Sequence, residues 1–340
     1  MKTKLITVLL IIVTPLLYAQ RVLKTELPNI SNAKLLCAVT KENASGYFYF
    51  SYALVNGVGN TGVIDDFRID VTRGANTKDI DTVGLRFFNK YDDYMISSNR
   101  RAYQKWYGKI TPVGFPLLPN RYWVGDLENN YMLAWFSTDT LDVLPGDTLR
   151  DFIMMSKGLP GLRNCRIEPL FFSGQYILSE DEDTIKTQVL PRFHSGNIDS
   201  VEASLAVNLM VVGPISPPLF FDPIICCDML TSYTTQSRAL GWINNTRDDD
   251  CENDENAEDG IVKNLDKRLG KVRDFITSKK FDKAQQQLEK FLNKVEKLWK
   301  RNQKEEEKNK KNPKIIFSSE AYALLKYNGE YLSQQIPGKK

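Results

Sequence analysis

Nine cations fall between positions 294 and 314: Lys294, Lys297, Lys300, Arg301, Lys304, Lys308, Lys310, Lys311 and Lys314. Charge of one sign at that density attracts anionic surfaces such as lipid headgroups, acidic polysaccharide or extracellular DNA. Glu305-Glu306-Glu307 interrupts the run, and no aromatic residue interleaves with the lysines after Trp299. Nucleic acid is therefore not the expected partner. The plainer reading is a solvated, self-repelling helix end.

The opposite charge gathers just upstream. Residues 246–260 hold one basic and eight acidic side chains, beginning Asp248-Asp249-Asp250-Cys251-Glu252-Asn253-Asp254. Hard oxygen ligands at that density suit calcium, with Asp248, Asp250 and Asp254 as the candidate ligands. The alternating D-x-D-x-D-G order of a calcium turn is missing, so an acidic spacer without an ion competes with that reading. The formal net charge of +3 is thus a cancellation between an acidic spacer and a basic tail.

Catalytic chemistry finds little to use. His194 is the sole imidazole, and no G-x-S-x-G elbow is present. Asp65-Asp66 and Glu180-Asp181-Glu182-Asp183 supply adjacent carboxylates, the raw material of glycoside cleavage, but each also reads as a solvated hairpin. No catalytic residue is assigned. Flat aromatics stack on sugar rings, and Trp106, Tyr107, Tyr122 and Trp123 lie in stretches that read as loops, which makes them the candidate ligand-binding set. The denser run from Tyr47 to Tyr52 reads as buried strand.

Compartment follows from the first residues. Lys2 and Lys4 precede an apolar run from Leu5 to Leu17, then Tyr18-Ala19-Gln20, the layout of a cleaved secretory leader spanning 1–19. The run is short for a bilayer span. An exported chain meets oxidising conditions, so Cys37, Cys165, Cys226, Cys227 and Cys251 are disulfide candidates. Cys251 with Cys226 or Cys227 is the first pairing considered, and Cys37 with Cys165 the second. Their spacing matches no zinc pattern.

These residues must be held by two kinds of element. Strand signals run from Ala44 to about Val212: Tyr47–Val55, Val63–Val71, Val83–Phe88, Tyr131–Ser137, Cys165–Leu170 and Val201–Val212. Pro145-Gly146-Asp147 and Leu159-Pro160-Gly161 read as turns between them. Many short strands without intervening helices predict an antiparallel β-sandwich over 25–213. Pro214, Pro217, Pro218 and Pro223 mark a linker over 214–225. Beyond it the apolar period becomes helical: Cys227–Leu240, Gly260–Ser278, a third helix capped by Asp282 and carrying Ala284, Leu288, Phe291, Val295 and Leu298, and a fourth starting at Ser318 or Ser319. The stretch from Lys300 to Pro313 reads as a frayed end plus loop. The prediction for 226–336 is an antiparallel helical bundle, making the chain α+β.

Two local patterns carry a resemblance. Pro145-Gly146-Asp147-Thr148-Leu149, leading on to Gly158-Leu159-Pro160-Gly161, is similar to a pattern in exported bacterial proteins. The ordered series Leu240-Gly241-Trp242-Ile243, Asn264-Leu265-Asp266-Lys267-Arg268-Leu269, Ala284 to Val295, and Ser319-Glu320-Ala321-Tyr322-Ala323-Leu324-Leu325-Lys326-Tyr327-Asn328 resembles the helical module labelled FIMAH. That module closes many secreted bacterial proteins, some of which act on polysaccharides. The resemblance implies a helical fold and export, and transfers no catalytic residue.

Together these features predict a secreted, extracellular or periplasmic, non-enzymatic protein with an interaction, adhesion or carbohydrate-binding role. Extracellular polysaccharide or a surface protein is the expected partner. A carbohydrate-active hydrolase using paired carboxylates and a structural envelope component are the alternatives.

Overall fold

A computed structural model describes residues 27–44, 46–70, 72–73, 76–80, 86–87, 123–128, 132–137, 142–170, 204–218, 220–245, 260–308 and 315–337. In chain order the strands are β1 (Lys34–Lys41), β2 (Phe48–Val55), β3 (Ile64–Asp70), β4 (Thr72–Arg73), β5 (Asn76–Ile80), β6 (Arg86–Phe87), β7 (Trp123–Glu128), β8 (Met132–Ser137), β9 (Thr148–Ser156), β10 (Leu159–Pro169) and β11 (Val207–Ile215). Four helices follow, α1 (Pro223–Ala239), α2 (Gly260–Thr277), α3 (Phe281–Glu307) and α4 (Ser319–Gln335). Two short strands, β12 (Ile243–Asn245) and β13 (Ile315–Phe317), lie among them. The chain is α+β, with antiparallel sheets first and helices after.

One sheet has the order β1-β2-β9-β6 and the other β11-β10-β3-β8-β7. Period-two burial explains the strands: in β1, Leu35, Cys37 and Val39 are buried while Leu36, Ala38 and Thr40 face out. Aromatic side chains from the two sheets meet. Phe67 of β3 stacks on Trp135 of β8 at 4.9 Å and meets Phe152 of β9 edge-on, also at 4.9 Å. Tyr52 of β2 lies 5.8 Å from Trp135, and its hydroxyl donates to the Val212 carbonyl of β11 at 3.1 Å.

Two local expectations change. Leu159-Pro160-Gly161 is not a turn: it lies inside β10, opposite Ile215, Pro214 and Gly213 of β11. A Cβ at Gly161 would stand 2.4 Å from Ile215, so the glycine serves close strand approach rather than reversal. The reversal sits at Lys157-Gly158, where the chain passes from one sheet to the other. Among the described residues β11 is an edge strand, and an edge tolerates the N–H that Pro214, next to its last residue, lacks.

Local chemistry also starts and stops the helices. The Asp222 carboxylate accepts from the Ile224 and Ile225 amides ahead of α1, with Pro223 at the first helical position. Ser318 caps α4 through the Ala321 amide. Between α2 and α3, Lys279 adopts φ 57° while its amide and that of Lys280 return to the Ile276 and Phe275 carbonyls. The expected fraying after Lys300 does not occur, since α3 continues to Glu307. Its last turns are tied down: Asn302, buried, accepts from the Phe317 amide of β13 at 3.1 Å, and β13 pairs with β12.

The helices pack α1 on α2, α2 on α3, α3 on α4, and α4 back on α1. Helix α4 also contacts β1, β10 and β11. Buried side chains therefore form one continuous cluster from Ile30 through the sheets to Ile336. No described helix is long and apolar enough to cross a membrane.

Candidate functional site: a cationic face on two helices

Helix α3 has 27 residues, a length of about 40 Å at 1.5 Å per residue. Ala284, Leu288, Phe291, Val295, Leu298, Asn302 and Glu305 repeat at steps of four and three, and all are buried. One residue ahead of each buried position stands Lys283, Gln287, Lys290, Lys294, Lys297, Arg301 or Lys304, with Lys308 continuing the series. The same helical period that builds the core therefore builds a cationic stripe about 100° around the helix from it.

Helix α2 adds to that stripe from the side. Lys294 is held below its ordinary value, first by partial burial and then by the charges of Arg268, Arg301 and Lys297. Three cations thus sit close enough to Lys294 to disfavour its charge. Lys283 rests 6.0 Å from the Phe275 ring of α2, and Arg268 donates to Asn264 at 2.9 Å.

Of the acids near this face, one pairs with a cation of the stripe and one is turned toward α4. Glu305 is buried and pairs with Arg301 at 3.4 Å. Glu296 points toward α4, where it accepts from the Tyr322 hydroxyl at 2.8 Å and meets Lys300 at 3.3 Å and Lys326 at 3.8 Å. Its carboxyl lies below the usual value: burial pushes it up, but the hydrogen bonds from Tyr322 and Lys300 and the lysine charges outweigh that push. Lys300 is accordingly turned to Glu296 rather than to the stripe. Of the sequence-derived set, Lys294, Lys297, Arg301, Lys304 and Lys308 share the face, while Lys310, Lys311 and Lys314 lie outside the described residues. Sequence reasoning missed Arg268, Lys283 and Lys290. Steps of three and four back from Lys294 would have found the last two, but Arg268 joins only through helix packing.

A second charged group lies on β3 and β10. Asp66 accepts from Arg68 Nε and Nη2 at 2.9 and 2.6 Å, Arg68 reaches Glu168 at 3.3 Å, and Arg166 pairs with Glu168. This is a cross-strand ion-pair ladder that spends Asp66 on structure. Its sequence neighbour Asp65 is half-buried, with its carboxyl pushed up to about 7 by burial and by the charges of Asp66, Asp142 and Glu168.

The other sequence candidates divide by position. Trp123 opens β7 opposite Ser137 of β8. Trp106, Tyr107, Tyr122, His194, Glu180–Asp183, Asp248, Asp250, Asp254 and Cys251 lie outside the described residues. Cys37 in β1, Cys165 in β10, and Cys226 and Cys227 in the first turn of α1 are all buried. Burial raises all four thiols, with Cys226 at about 11 and Cys227 at about 12, the reverse of an activated nucleophile. Among the described residues, no group of three or more His, Cys, Asp or Glu side chains is placed to hold a metal ion.

Comparison with known proteins adds no relative: no family model, no curated protein and no solved structure matches the chain.

Proposed function

We propose that this chain is an exported, non-enzymatic binding protein that holds an acidic extracellular polysaccharide on the cationic face of α2 and α3. The carrying observation is Lys294, held below its ordinary value first by partial burial and then by the charges of Arg268, Arg301 and Lys297 gathered around it. Packing like charges together costs free energy that an anionic partner returns. A rigid helix presents them in register, so little side-chain order is lost on binding beyond the lysine tips. Export rests on the leader-like first nineteen residues.

In this reading the two sheets are the leaves of an antiparallel sandwich, supported by the Phe67, Trp135 and Phe152 contacts. The four helices form a FIMAH-like antiparallel bundle, supported by their cyclic packing and the ordered tail motifs. Immobilised heparin and polygalacturonate are the probes. Wild-type protein is retained and released by salt, and the Lys294→Glu/Arg301→Glu variant flows through both columns. Equal retention of the variant overturns the proposal, and retention on DNA-cellulose alone transfers it to a nucleic-acid partner.

A further inference from the structure

Among the described residues, the sheet order leaves β1 with one strand neighbour, β2. An edge strand offers a row of backbone donors and acceptors to any other extended chain. Here that row is met by side chains of α4. The Cys37 amide donates to Glu320 Oε1 at 2.7 Å, and the Ser319 hydroxyl donates to the Cys37 carbonyl at 2.9 Å. One residue pair further along, the Tyr327 hydroxyl donates to the Val39 carbonyl at 3.2 Å, while its ring packs edge-on against Phe48 at 5.1 Å.

The chemistry is that of a strand partner. A neighbouring strand would present one carbonyl to the Cys37 amide and one N–H to its carbonyl. The Glu320 carboxylate and the Ser319 hydroxyl supply that acceptor and that donor from adjacent residues at the start of a helix. Glu320 is only 3% exposed, so the carboxylate is committed to this place rather than to solvent. Asn328 secures the same helix to the other sheet by donating to the Pro160 carbonyl of β10 at 2.8 Å.

We propose that α4 is an edge closure: it occupies the position of a fifth strand and keeps β1 from pairing with β1 of a second copy. Such pairing would be antiparallel and self-complementary, the simplest contact two identical edges make. Leu36, 44% exposed, would gain cover from it.

The test is hydrogen exchange at the Cys37 amide, with light scattering, on full-length wild type and Glu320→Ala. In wild type the Cys37 amide is protected although it lies on a sheet edge. In Glu320→Ala its exchange speeds up at least tenfold while that of Phe50 in β2 is unchanged, and the mass doubles as protein concentration is raised. Unchanged Cys37 exchange, or a variant whose mass stays at the wild-type value at high concentration, overturns the proposal. Should Glu320→Ala not fold, the milder pair Ser319→Ala/Tyr327→Phe, which frees the Cys37 and Val39 carbonyls and keeps the Glu320 carboxylate, is read by mass alone: a doubling at high concentration supports the proposal and an unchanged mass overturns it.

Discussion

Asp65 makes the stability of this fold depend on pH in a direction opposite to that of most acidic residues. Its carboxyl rises from 3.8 to about 7 on folding because burial and three neighbouring carboxylates, Asp66, Asp142 and Glu168, penalise its charge. The folded chain therefore binds this proton more tightly than the unfolded chain does. It follows that stability falls as pH climbs from about 4 to about 7, and that the loss is complete above that range. At 1.36 kcal/mol per tenfold change in proton affinity, the full penalty is about 4 kcal/mol. Asp65 keeps part of its hydration, so about 2 kcal/mol is the working figure. Asp65→Asn cannot ionise and escapes the penalty. Urea unfolding of both proteins at pH 4.5, 6 and 8 isolates it, because every other titrating group is shared. The variant should exceed wild type by about 1 kcal/mol at pH 4.5, where the unfolded carboxyl is already largely ionised, and by about 2 kcal/mol at pH 8. A variant equal to or weaker than wild type at pH 8 refutes the reasoning.

Three further substitutions probe the scaffold. Phe67→Ala removes the ring that touches both Trp135 and Phe152, and should cost about 3–5 kcal/mol in denaturant unfolding. Gly57→Ala drives a Cβ to 2.6 Å from the Asn32 carbonyl oxygen; the backbone cannot step aside as a side chain could, so a loss of about 1–3 kcal/mol is expected. Lys279→Gly relieves a left-handed residue at φ 57° between α2 and α3, and should raise the melting temperature, corresponding to roughly 1 kcal/mol.

Much of the architecture was legible because it rests on local periods. The spacing of Leu265, Leu269, Val272 and Ile276 marks α2, and Ser318 or Ser319 marks the start of α4, within a residue of the structure. Strands β2, β3 and β8 declared themselves by aromatic or alternating residues. The misses share a physical cause, which is tertiary contact. Leu159-Pro160-Gly161 carries every mark of a turn, yet the edge position of β11 accepts Pro214 and the absent Gly161 side chain lets Ile215 in. The α3 end looks frayed by composition but is held by Asn302 and the β12-β13 pair. At the candidate site, the α3 lysines could be read from sequence, while Arg268 joined them only through the packing of α2 on α3. The role of Glu320 was wholly illegible, since its partner at Cys37 lies 283 residues away.

The central claim is that the α2–α3 face is built to hold a polyanion, and one titration tests it most directly. The dissociation constant of the protein for heparin should be measured across a salt series, for wild type and for Lys294→Gln/Lys297→Gln/Arg301→Gln. Wild type should bind with an affinity that falls linearly on a log–log plot, and the triple variant should bind at least tenfold more weakly with a shallower slope. Identical affinities and slopes for the two proteins would contradict the account.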